Sequence, residues 1–271
     1  MWRRTVVAAM VGALAVPALA HAQRQGLPSS PFGYGVFAIS DVTLRDGVRA
    51  VVGDVGANNG TVVVGKQAAI RGSVAAATIK LRKPARPGSY FCQLLQGATP
   101  GIACEPVTLP LVSSSQLPPV LVTPGTLRVS VPPHSFRAAL PPGPYADVRV
   151  GPRGQLVLAG GTYAVRSIRV QPRGQLLCAA PCRIGVADTV RLQPNAVLAG
   201  MPGTSASEVR VDVARTAPSP VFATAPRATV GARVYAPGGR IELRNQGNYV
   251  GAFVGNEVRV GKGAIVQADG S

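Results

Sequence analysis

Val148-Arg149-Val150-Gly151-Pro152-Arg153-Gly154-Gln155-Leu156 returns as Ile168-Arg169-Val170-Gln171-Pro172-Arg173-Gly174-Gln175-Leu176, 20 residues further on. A fainter copy, Val190-Arg191-Leu192-Gln193-Pro194-Asn195-Ala196-Val197, follows after another 22. Each copy is a short strand with aliphatic residues on one face and an Arg on the other, followed by a proline turn. One such unit cannot bury its apolar face alone. Stacked neighbours can, and repeats of this period mark a solenoid. Function is then to be sought on a long repeated surface rather than in one enclosed pocket.

The rhythm extends in both directions. Gly53-Asp54-Val55 aligns with Gly72-Ser73-Val74 at an offset of 19, and Ile241-Glu242-Leu243 with Val258-Arg259-Val260 at 17. Runs of this kind, rich in Val and Ile and broken by turn formers, suit coils whose inward side chains stack on their like. Gly and Asn at the corners supply positive φ. The expected fold is all-β: a single-stranded parallel, right-handed β-helix with Pro-rich loop insertions. Successive coils form one pile, a rod on the order of 50 Å long. Residues 82–143 break the pattern with Pro84, Pro87, Pro118, Pro119, Pro132 and Pro133, and read as an irregular excursion pinned by a cysteine pair. Val209-Arg210-Val211-Asp212-Val213 keeps a strand alternation inside a second loose region, Ala199 to Arg227.

The first 22 residues read as an export signal. Trp2-Arg3-Arg4 is basic, Thr5 to Leu14 is apolar, and Ala20-His21-Ala22 fits a cleavage site. Residues 23–271 then form one domain, with no later stretch long enough to cross a membrane after cleavage. The expected location is periplasmic, cell-surface or extracellular. Cys92 with Cys104 and Cys178 with Cys182 are close pairs that suit disulfides in an oxidising compartment. Zinc fits poorly, because the spacings are irregular and no His lies near.

Charge is the other strong signal. The formal net charge is +17, falling to +15 without Arg3 and Arg4, and 24 of the 28 basic residues are Arg. Two accounts stand side by side: a genome that favours Arg codons, or a surface that attracts anionic polymers. Nucleic acid is disfavoured by export and by the scarcity of aromatic residues for stacking on bases.

Leu140-Pro141-Pro142-Gly143-Pro144-Tyr145, then Val148-Arg149-Val150 and Leu158-Ala159-Gly160-Gly161-Thr162-Tyr163, resembles a pattern in uncharacterised bacterial secreted and surface β-helix proteins. Val234-Tyr235-Ala236-Pro237 with Tyr249-Val250-Gly251-Ala252 is similar to that group's closing segment, and Gly53-Asp54-Val55-Gly56 to its opening phrase. The group is similar in style to ice-binding adhesin and polymer-forming solenoid domains. The resemblance implies a displayed or secreted scaffold; it implies no catalytic residue.

The chemistry of the side chains argues against most enzymes. Beyond the leader only His134 remains, in a proline loop, so a Ser-His-Asp hydrolase or histidine metal centre is hard to assemble. The phrase Val64-Gly65-Lys66-Gln67-Ala68-Ala69-Ile70 is similar to acyltransferase hexapeptides, which need a catalytic His. The eleven carboxylates are scattered, with Asp41 and Asp46 the nearest to a cluster. Asp54, Asp147 and Asp188 lie near turns, where local backbone capping is expected. Ranks of Thr for an ice-binding face are missing.

The expectation is a non-enzymatic exported structural or binding protein without cofactor or metal. Arg149, Arg169, Arg191, Arg210 and Arg259 are the candidate contacts to anionic polysaccharide or lipopolysaccharide. Self-association through open coil ends is a further expectation. The alternative is a polysaccharide lyase or glycosidase on the same scaffold.

Overall fold

The computed structural model describes residues 26–82, 88–98 and 102–269; the export segment at 1–22 lies outside them. The fold is a β-solenoid of about eleven parallel turns. Each turn has three sides. The strand Gly161–Val170 spans two of them: its first half pairs with Cys182–Val186 and its second with Val190–Leu192. After the corner at 171–174, Gln175–Cys178 forms the third side, between Gln155–Leu158 and Val197–Gly200.

The packing follows from residue choice. One inward column runs Val129, Val148, Ile168, Val190, Phe222, Ile241, Val258, Val42, Val62, Ile79, Leu95, with each member opposite the next. Ten of these are buried and Leu95 is half-buried. β-Branched residues stack here because their fixed χ1 suits a pleated surface. Each such side chain removed from water contributes about 1.5–3 kcal/mol before entropy is counted.

That column also shows that the coils do not follow chain order. The last coil, with strands Phe253–Val260 and Ile265–Gln267, pairs directly with the first, Val36–Leu44 and Ala50–Val52. The seam is as well bonded as any other step: Arg45 N–H donates to Val260 O at 2.9 Å and Ala268 N–H to Val52 O at 2.8 Å. The first described coil lies mid-rod, and those after it stack outward through Val55–Ala57 and Ser73–Leu81 to Ser89–Gln96 at one end. It then crosses to the far end, where Val129–Val131 and Phe136–Leu140 begin the second stack, which returns to the middle. The expectation of a pile in sequence order is therefore corrected. Asp269 is not at an open end either, since Ile265–Gln267 is paired on both sides. The rod's true ends are the edges at Ser89–Gln96 and Val129–Leu140.

The crossing segment is the irregular part of the expected excursion. It is narrower than 82–143, because Ser89–Gln96, Val129–Val131 and Phe136–Leu140 within that range are strands of the solenoid. Residues 106–128 lie as a strap along the first side. Buried Asn58 accepts from Val112 N–H at 2.8 Å and donates to Val112 O at 2.9 Å. Tyr235 donates to Pro118 O at 2.7 Å, and Gly125 N–H to Tyr145 O at 3.1 Å. Small residues make the bed for the strap: a Cβ on Gly185 would lie 3.0 Å from the Val122 side chain. Val112 of the strap packs with Tyr34, Phe37, Tyr235 and Val254 in a second apolar cluster.

Both cysteine pairs are bonded, Cys92 to Cys104 and Cys178 to Cys182, with Cα separations of 5.4 and 6.1 Å. The first fixes the terminal coil, where Glu105 adds a bridge outside Ser89–Gln96. Two local disulfides suit an oxidising compartment. No helix among the described residues is long and apolar enough to cross a membrane.

Candidate functional site

The strap lies along the first side, while the second side and its corner carry Arg residues that repeat in register from coil to coil. On the second side, Arg149, Arg169 and Arg191 stand directly opposite one another on successive coils. Their neighbours Val148, Val150, Ile168, Val170, Val190 and Leu192 point inward and are buried. Strand alternation therefore forces the three guanidinium side chains outward. The column continues as Ala223, Glu242, Arg259, Thr43, Val63 and Lys80.

A second row runs beside it at the corner that follows. In the turns at 151–154 and 171–174, Pro occupies the second position and Arg the third, and the fourth residue donates back to the first at 2.9 Å. Arg153 has φ of 54° and Arg173 of 59°. Proline followed by positive φ is the arrangement of a type II turn. The same corner holds His134, Asn195, Arg227, Gln246 and Gln67 with φ between 56° and 63°, and Gly47 and Gly263 at 69°. The turns stack by backbone bonds: Arg153 N–H donates to Pro172 O at 3.1 Å and Arg173 N–H to Pro194 O at 3.0 Å. Gly and Asn were expected at these corners; long polar side chains hold most of them instead. Arg153 and Arg173 each lie four positions after the strand Arg, and Gly154 and Gly174, one position later, do not take the positive φ.

The Arg residues differ in what they touch. Arg149, Arg153, Arg169, Arg173 and Arg191 have no carboxylate within ion-pair distance among the described residues. Arg259 shares the column of Arg149 but bonds Glu257, which also lies 3.8 Å from Arg240. Arg210 is on the first side. Its Nε donates to nearly buried Asp212 at 2.8 Å, Arg183 donates to the same carboxylate at 3.0 Å, and its guanidinium sits 5.0 Å from the Phe32 ring. The five sequence candidates thus divide into three open residues in one file and two that are already paired.

The carboxylates are similarly engaged. Asp147 accepts from Arg166 and from Ser167 at 2.8 Å, with Arg128 nearby, and the Arg166 contact first of all holds its carboxyl below the usual range. Asp188 pairs with Arg215. Asp54 accepts from Ser73 N–H at 2.7 Å and Asp41 from Thr61 N–H at 2.9 Å, each on the next coil. Local capping was expected for Asp54, Asp147 and Asp188; stacking lets them tie one coil to another instead. Among the described residues no group of three or more His, Cys, Asp or Glu is placed to hold a metal ion.

Small Ala223 leaves a notch in the column. A depression of about 290 Å³ opens there, lined by Arg191, Thr224 and Arg244 among others, with Arg244 paired to Glu242 at 3.2 Å. Beyond it on the same corner lies a second, of about 420 Å³, between Arg45, Asp46, Arg82 and Lys262, where Asp46 lies 3.9 Å from Arg82. The site is a shallow basic shelf running parallel to the rod axis, bounded by the second side and its corner. No protein-family model matches the chain, and no curated protein matches it.

Proposed function

We propose that this protein is a non-enzymatic, exported β-solenoid that binds anionic polymers of the cell envelope or matrix. The observation that carries the reading is the file Arg149, Arg169, Arg191, in register and without carboxylate partners among the described residues. Surface charge left unneutralised on a rigid repeat attracts polyanions, and the attraction is screened by salt. Two local disulfides support a setting outside the reducing cytoplasm. The test is retention on immobilised heparin and lipopolysaccharide across a salt series. The expected result is strong retention at low ionic strength that collapses as salt rises. Retention that ignores salt removes the electrostatic reading, and new reducing ends released from an acidic polysaccharide replace it with an enzyme.

A further inference from the structure

We infer that the ligand of this shelf is a linear polysaccharide bearing one carboxylate per sugar, laid parallel to the rod between two rails of guanidinium groups. The inference rests on the anionic-polymer reading and adds ligand class, direction and contact residues. The first rail is Arg149, Arg169 and Arg191; the second is Arg153 and Arg173 at the corner.

Three observations carry it. The first is periodicity. Coils repeat at about 4.8 Å, so each rail presents one planar cation per strand spacing. An extended chain of acidic sugars advances by a comparable step and offers a carboxylate at each. Guanidinium forks match carboxylates in bidentate geometry. Phosphates along one strand of duplex nucleic acid recur at roughly 3.4 Å, out of step with the rails.

The second observation is strain. Non-glycine residues at positive φ are disfavoured by their own Cβ. Gly47 and Gly263 occupy the same corner in other coils, so glycine fits this position. Other coils also hold polar non-glycine residues there, among them Gln67, Asn195 and Gln246, but the coils that carry the open Arg149 and Arg169 both place an Arg, Arg153 and Arg173, at this position. Backbone strain retained where a relaxed alternative is available points to a use for the side chain. The third observation is relief. The notch at Ala223 lies one coil beyond Arg191, the last open Arg of the first rail, and ends the shelf, because Glu242 stands next in the column and pairs with Arg244 at 3.2 Å.

The experiment uses the oxidised protein and size-defined oligogalacturonates, with affinity read by calorimetry. Three Arg-bearing coils cover about 10 Å, so affinity is expected to climb with oligomer length and level off near three units, one for each coil. The double variant Arg153→Gly/Arg173→Gly keeps the turn geometry. It is expected to fold with an unchanged or raised Tm while binding weakens roughly tenfold or more. Gln246→Gly, the same backbone change in a coil outside the rails, should leave binding unaltered. If the wild type binds and the double variant binds equally well, the two-rail geometry is wrong while the anionic-polymer reading survives. If the wild type binds no acidic polymer at low salt, both fall. Preference for single-stranded nucleic acid or anionic vesicles over the oligosaccharide overturns the ligand class.

Discussion

At the residue scale, stacking decides what each polar group does. Tyr249 is wholly buried; its hydroxyl donates to the Arg244 carbonyl at 2.9 Å and lies 2.8 Å from Thr224 Oγ1. Burial pushes its phenol, and that of Tyr235, up to about 12. The ordinary value is about 10, so between those limits the folded chain keeps protons that the unfolded chain releases. The contribution to stability is complete below about pH 10 and disappears as pH rises toward 12. Alkaline titration followed at the tyrosinate absorbance should therefore show these two ionising together with loss of the β circular dichroism. Ionisation of every tyrosine with the fold intact contradicts this. The inward aliphatics were legible in the sequence because alternation and burial share one cause. The corner conformations were not, because nothing local shows that Arg153 rather than Gly154 takes positive φ.

At the scale of elements, the strap holds the two stacks against each other along the first side, and Asn58 is its most specific anchor. Asn58→Ala leaves the Val112 N–H and C=O without their partner. The expected cost is about 1–3 kcal/mol for each group that stays buried and unpaired. Denaturant unfolding gives the size of the loss, and limited proteolysis should find new cuts between residues 106 and 128. Full resistance to cleavage there, with an unchanged midpoint, means that the strap is held by its apolar contacts alone. Its prolines made this segment readable as non-strand, since proline cannot join a ladder. Its path was not readable. The bed for Val112 and Val122 is assembled from Asn58 and Gly185, which are remote in sequence from the strap and from each other.

At the scale of the molecule, repeat proteins add up from nearest-neighbour interfaces. Here one interface differs in kind: Val36–Leu44 on Phe253–Val260 joins the beginning of the described chain to its end. Repetition of the phrase at 148–156 foretold coils, but a repeat states only which surfaces can stack, not the order in which they do. Removing residues 253–269 exposes both faces of the seam. Amides of Val42–Leu44 should then lose hydrogen-exchange protection, while those of Val190–Leu192, paired on both sides within the other stack, keep theirs. Equal protection in both segments contradicts the division. Chains emerge from the amino end, and earlier units fold first. Until its final coil arrives, the nascent protein is two short piles joined by a cord; that coil is the keystone, and its docking turns a jointed object into a stiff rod.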